Sequence, residues 1–375
     1  RNISQRVYME LRPDKYLKYL GLPSLFGVER TKKILSVNPT IPPQREEAGE
    51  VKIVAYDYNA VELKEYYFDR IEDCFYLKES SNTTWINVDG LRKADVEAIS
   101  AHYEIHNLVV EDILSINQRP KMDEINTILF CLLNMLYYNN EKKTVEQEQV
   151  SIVLGNGFVL SFQEDAQRDV FNPLRGRLKL NNAKLRQNGA DYLCYSLLDL
   201  IVDNYFIVME SLGENIEQLE EEVIRHSNKR SLAKINQLRK ELIVLKRNIT
   251  PVRDLINGIL RSESELLQDR NTKYFKDIYD HIVQANELTE NYRDILMNIQ
   301  DLYISNLNLK MNEVMKVMAI VTCLLAPPTV IVGIFGMNFN NIPLAHSASG
   351  FYLTVFITLM IPAVMLWIFK RRGWF

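Results

Sequence analysis

VMAIVTCLLAPPTVIVGIF, residues 317–335, is a run of nineteen residues without a charge. FYLTVFITLMIPAVMLWIF, residues 351–369, is a second uncharged run of nineteen. At about 1.5 Å per residue, each crosses roughly 28 Å as a helix, close to the apolar thickness of a bilayer. The competing reading is a helix buried in a soluble core. Two such runs side by side favour two membrane spans.

Flanking charge sets the expected orientation. Lys310 and Lys316 precede the first run, and Lys370, Arg371 and Arg372 follow the second. The connection between them, residues 338–350, has no Lys, Arg, Asp or Glu. Basic flanks face the cytoplasm, so both termini are expected inside the cell membrane and the short loop outside. Trp367 and Trp374 suit the inner interface. Pro327-Pro328 and Pro362 each remove a backbone donor, a loss that neighbouring membrane helices repair.

Upstream of the first run, helical periodicity has no Gly or Pro from about Thr272 to Pro327. A helix from there to Phe335 is roughly 95 Å long, too long for one globular core. It offers two faces. Leu288, Tyr292, Ile295, Ile299, Leu302 and Leu309 form an expected packing seam, interrupted by Asn306. Asp301, Ser305, Asn308, Asn312, Met315, Met318, Thr322, Ala326 and Thr329 recur at spacings of three or four and share one stripe. Periodicity leaves this stripe open between a small-residue packing face and the lining of a pore. If the chain conducts anything, two helices cannot enclose a water path, so copies must assemble around an axis.

Two further helices are expected at 191–227 and 229–262, broken near Ser227-Asn228, with Thr250-Pro251 inside the second. Before them, 51–165 reads as mixed α/β. Strand signals lie at 51–59, 83–90, 126–139 and 150–162, with Gly155-Asn156-Gly157 as a hairpin turn, and helices at 94–105 and 108–115. The expected division is a cytoplasmic region containing the α/β domain (1–190), a helical hairpin (191–270) and a stalk helix (271–316). Spans at 317–335 and 351–369 follow, with an outer loop (336–350) between them and a basic tail (370–375) after. The fold class is therefore an α+β cytoplasmic domain, long helices and a two-helix transmembrane portion.

The 375 residues carry a formal net charge of -4, which gives nucleic acid no electrostatic footing as a partner. Cys74, Cys131, Cys194 and Cys323 are scattered, with no zinc spacing, and read as free buried thiols. The opening RNISQRVYMELRPDKYLKYL lacks the apolar core of a signal peptide. No Walker loop, HExxH, GxSxG or clustered Cys/His set is present, so an enzyme is the least supported class. Glu214, Glu217, Glu220, Glu221 and Glu222 precede a basic stretch and read as helix charge pairing, or else as a device that concentrates cations.

Gly336-Met337-Asn338 directly follows the first span. A GMN tripeptide at that place, in a two-span arrangement closed by KRRGWF, resembles the CorA-type magnesium transporters. NEVMKVMAIVT (312–322), YFKDIYDH (274–281) and VEDILSINQRPK (110–121) resemble the same family, and the likeness covers roughly residue 50 onward. It implies a funnel-shaped homopentamer in membrane lipid, with the first spans lining a pore and the second forming an outer ring.

The resemblance also implies roles for residues. Gly336, Met337 and Asn338 become the outer selectivity filter, with the Asn338 carbonyl meeting hydrated Mg2+; local chemistry alone equally allows a helix C-cap there. Met315 and Met318 become a hydrophobic gate, Thr322, Ala326 and Thr329 the wall, and Asn308, Asn312 and Asp301 inner polar positions. Asp277 becomes an interface metal sensor facing Glu111 and Asp112 of a neighbouring copy, with Mg2+ both cargo and regulator. Asp280 and His281 lie nearby; His281 reads as a packed or surface histidine. Co2+ and Ni2+ are further expected cargoes. A transporter of another divalent ion such as zinc, or a non-conducting membrane-anchored sensor, stands as the alternative. The outer loop FNNIPLAHSASG lacks the carboxylates many relatives carry.

Overall fold

The computed structural model describes residues 48–374, apart from 117, 166, 167, 169, 181, 182, 338–341, 345, 346 and 348. The expected absence of a signal peptide concerns residues outside this range. The chain divides into two compact units: 222–228 with 299–375, and the remainder.

In the first unit, seven strands form one sheet. They are β1 (Lys52–Tyr58), β2 (Leu63–Phe68), β3 (Thr83–Asp89), β4 (Lys121–Ile125), β5 (Ile128–Asn139), β6 (Thr144–Gly155) and β7 (Phe158–Gln163). Their order is β2-β1-β3-β7-β6-β5-β4. Only the β3–β7 pairing is parallel among these neighbours. Gly157, with φ +80°, completes the turn between β6 and β7, a backbone setting that glycine adopts without strain.

The four expected strand regions are all present. The missed strands, β2 and β4, are the two edges. LKEYYF and KMDEI are only half-buried and mix charge with apolar residues, so they carry little periodic signal. The start of β6, TVEQEQ, was missed because it buries polar side chains, Glu148 and Gln149 among them, so burial there leaves no apolar signal.

Helices α1 (Lys93–His102) and α2 (Asn107–Leu114) cover one face of the sheet. Val96, Ile99, Val109 and Ile113 pack there against Ile86, Val88, Phe130, Leu132, Val153 and Leu160. Two short helices, α3 (Asn172–Lys179) and α4 (Lys184–Gln187), lead to three long ones. These are α5 (Ala190–Arg225), α6 (Lys229–Arg261) and α7 (Thr272–Phe335). Buried Asp191 ties the start of α5 to the approach to α7. Its carboxylate accepts from Gln268 N at 3.0 Å and Asn271 Nδ2 at 2.8 Å.

The packing seam of α7 differs from the expected register. Buried residues run Ile278, Ile282, Ala285, Thr289, Leu296, Ile299 and Tyr303, whereas Ile295 and Leu309 are exposed within this chain. Small Ala285 and Thr289 occupy the seam, so choosing the large apolar residues shifted the inferred stripe.

In the second unit, Asn306 is the polar break in that seam. Its amide donates to Val223 O at 2.9 Å and Ser227 Oγ at 3.1 Å, and Lys310 Nζ donates to Ser227 O at 3.0 Å. These groups satisfy carbonyls that the end of α5 leaves without helical partners. The last helix is α8 (Gly350–Arg371).

Among the described residues, three helices are long and apolar enough to cross a membrane: α5, the helix ending at Phe335, and α8. The apolar window of α5 is 61% buried within the chain, against 6% for the α7 window and 0% for α8. The chain thus covers most of the apolar window of α5 itself and leaves the apolar windows of α7 and α8 bare. Cys74, Cys131 and Cys194 are free and buried; Cys323 is free but exposed, because it lies in the uncovered apolar part of α7.

Candidate functional site

The clearest metal-ligand geometry among the described residues lies between α5 and α7. Asp199 and Asp203 are four apart on α5 and so share a face. His281 of α7 comes up to them, and the ligand atoms of all three lie within 4.8 Å of one another. His281 Nδ1 is buried and has no hydrogen-bond partner. Burial, then the charge of Asp203, pushes the Asp199 carboxyl up to about 6, with His281 pulling the other way.

Two carboxylates and an imidazole whose Nδ1 has no hydrogen-bond partner fit a divalent cation. Oxygen donors suit Mg2+, and the nitrogen suits softer Co2+, Ni2+ or Zn2+. Asp277 stands one turn before His281 and is exposed. Tyr195 stands one turn before Asp199. Burial first, then Asp199 and more weakly Asp277, raise its hydroxyl above the usual range, so both acids lie within electrostatic reach of one phenol. Asp280 is exposed.

Sequence reading named Asp277 but missed Asp199 and Asp203. The available signal was a pair of acids at helical spacing inside the apolar run YLCYSLLDLIVDNYFIVM. Only a fold that brings α7 against α5 turns that pair into a site.

Glu111 and Asp112 lie in the last turns of α2. His106 Nδ1 caps the helix start by accepting Leu108 N at 3.2 Å, and Ser115 closes its end onto Glu111 O. Gln149 of β6 donates to Asp112 O at 3.1 Å, fixing this turn to the sheet. Glu111 is exposed. The Asp112 carboxylate is only 16% exposed and pairs with Lys121 at 2.6 Å.

The stripe on α7 is exposed within this chain at Asp301, Asn308, Asn312, Met315, Met318, Thr322, Ala326 and Thr329. Thr322 and Thr329 bond back to Met318 O and Leu325 O at 2.9 and 2.8 Å, so their hydroxyls are satisfied by their own helix. Gly336 and Met337 close the end of α7 through bonds from their N–H groups to Val332 O (2.9 Å) and Ile334 O (3.2 Å). A Cβ at Gly336 would meet Val332 O at 3.3 Å, a tight contact. Asn338 lies outside the described residues.

Residues 80–371 match the family described as CorA-like Mg2+ transporter protein. The chain belongs to the CorA family. Its members are transporters rather than enzymes, in keeping with the sequence reading. It is 35% identical over 351 residues to the cobalt/magnesium transport protein CorA of Thermotoga maritima, covering 92% of this chain and 99% of that protein. It is 28% identical over 260 residues to the cobalt/magnesium transport protein CorA of Methanocaldococcus jannaschii, covering 68% of this chain and 80% of that one. The fold matches the complete structure of the CorA magnesium transporter from that organism with a TM-score of 0.70 at 25% identity, covering 86% of this chain and 98% of that one. The CorA assignment thus extends over the sheet, the long helices and both apolar helices.

Proposed function

We propose that this chain is a subunit of a Mg2+ channel of the cell membrane, and that cytoplasmic Mg2+ bound at carboxylate sites holds the channel shut. The observation that carries the reading is that Gly336 and Met337, with Asn338 next in sequence, close a helix whose apolar window this chain leaves bare. Copies form a funnel-shaped homopentamer. The α7 helices stand around a shared axis, with α8 outside them against lipid and both termini in the cytoplasm.

The chemistry suits the ion. Mg2+ is small and gives up water reluctantly, so a neutral carbonyl ring at Asn338 selects it by bonding to its water shell. Gly336 gives the backbone room to turn. Met315 and Met318 form a constriction that closes by dewetting, Thr322, Ala326 and Thr329 line the wall above it, and Asn312, Asn308 and Asp301 meet the ion on the inner side.

Asp199, Asp203, Asp277 and His281 form the regulatory face of one subunit, and Glu111 and Asp112 of the neighbour complete it. Carboxylates brought together repel unless a cation bridges them. High internal Mg2+ therefore locks the ring, and low Mg2+ frees it. His281 lets the same site accept Co2+ and Ni2+.

Uptake by proteoliposomes of the purified chain tests the cargo. Mg2+ enters, Co2+ and Ni2+ enter more slowly or compete, and Zn2+ enters least. Zn2+ entering faster than Mg2+ makes the protein a zinc transporter, and no flux of any of the four makes it a sensor.

A further inference from the structure

Asp112, the metal ligand proposed on α2, already holds a cation of the chain's own. Lys121, the first residue of edge strand β4, places its Nζ 2.6 Å from Asp112 Oδ2. The same Nζ is 2.9 Å from Asp123 Oδ2, two residues along β4. Asp112 is the more sheltered acid, with 16% of its side chain exposed against 38% for Asp123. Burial disfavours the Lys121 charge, and the two carboxylates outweigh it, holding the ammonium above the ordinary lysine range. Gln149 Nε2 donates to Asp112 O at 3.1 Å and ties the turn carrying Asp112 to the sheet.

A divalent ion reaching Asp112 must displace this ammonium. The displaced lysine does not become an unpaired charge, because Asp123 stands within reach on the same strand. A flexible four-carbon stem carrying a point charge suits such a move.

We propose that Lys121 is a tethered competitor for the regulatory metal. It bridges Asp112 and Asp123 when divalent ions are scarce, gives up Asp112 and keeps Asp123 when one binds, and so sets the Mg2+ concentration at which the site fills. The inference rests on Asp112 being a ligand and adds a residue that tunes it.

The test measures the Mg2+ concentration that half-protects the full-length detergent-purified chain from limited proteolysis. Lys121→Gln lowers that midpoint about fivefold, the effect of removing one partly exposed ion pair. Lys121→Arg, which keeps the charge, stays near wild type and controls for folding. Asp123→Asn raises the midpoint by removing the resting place, and has little effect in the Lys121→Gln background, because it acts through the lysine.

Asp112→Asn separates the two claims. If it raises the midpoint while Lys121→Gln leaves it unchanged, Asp112 is a ligand and the tethered lysine is refuted. If Asp112→Asn itself changes nothing, Asp112 is no ligand and both readings fall. If Asp123→Asn acts equally with and without Lys121, retention of the lysine by Asp123 is wrong, since Asp123 then works through its own field.

Discussion

Asn338→Ala removes Mg2+ transport while leaving the assembly intact. In the proposed pentamer each copy supplies one amide carbonyl to the water shell of the ion, and a hydrogen bond of this kind contributes about 0.5–1.5 kcal/mol. With five copies acting on one ion, the truncation is expected to withdraw about 2.5–7.5 kcal/mol from binding at the outer mouth. Apparent affinity for external Mg2+ falls at least about fiftyfold, and flux at low concentration is lost. Asn338→Asp tests the reasoning from the other side. Ionised carboxylates hold cations more tightly, so the outer site binds more strongly and passes ions more slowly, because conduction needs release as well as capture. Stopped-flow uptake with a Mg2+-sensitive dye inside the vesicles reads both variants. Unchanged flux in Asn338→Ala removes the selectivity assignment.

The second large effect belongs to regulation. Asp199→Asn combined with Asp277→Asn leaves a channel that internal Mg2+ no longer closes. Loss of metal-site groups costs about 10–100-fold in metal affinity even one shell away from the ion, so the inhibitory midpoint rises by at least about tenfold. Measured currents then persist at Mg2+ concentrations that silence the wild type. An unchanged midpoint refutes the regulatory site.

The same site carries a pH signature. Burial holds the Asp199 proton to about pH 6, against 3.8 for an ordinary aspartate. Metal binding needs the carboxylate, so inhibition by Mg2+ weakens as pH falls through about 6 in the wild type. In metal-free protein the sign of the stability effect is opposite. Between 3.8 and about 6 the folded chain keeps a proton that the unfolded chain has lost, so this group withdraws stability as pH rises through that window. Asp199→Asn removes both dependences, and thermal unfolding with and without Mg2+ separates them.

The apolar helical runs, the three long helices and the central strands were readable because each repeats one chemical feature over many residues. The run ending at Phe335 matched the observed helix end, and the break near Ser227-Asn228 fell where α5 gives way to α6. The edge strands were unreadable because half-exposed edges mix polar and apolar residues. The seam on α7 was misplaced because Ala285 and Thr289 pack without looking apolar.

The candidate site divided along similar lines. Gly336-Met337-Asn338, Asp277, Glu111 and Asp112 sit in compact motifs. Asp199 and Asp203 do not, since they depend on a contact distant in sequence, α5 with α7 (82 residues from Asp199 to His281). Lys121 closes the motif VEDILSINQRPK, but its pairing with Asp112 depends on how the chain turns from α2 into β4.

Everything about conduction depends on which face of α7 looks onto water in the assembly. Single cysteines placed at Thr322 and at the adjacent Val321, in a Cys323→Ser background, resolve this under Mg2+ flux. A charged, water-soluble thiol reagent should block flux through Thr322→Cys and leave Val321→Cys unaffected. Block at Val321→Cys with Thr322→Cys untouched places the polar stripe away from the ion path and contradicts the channel described here.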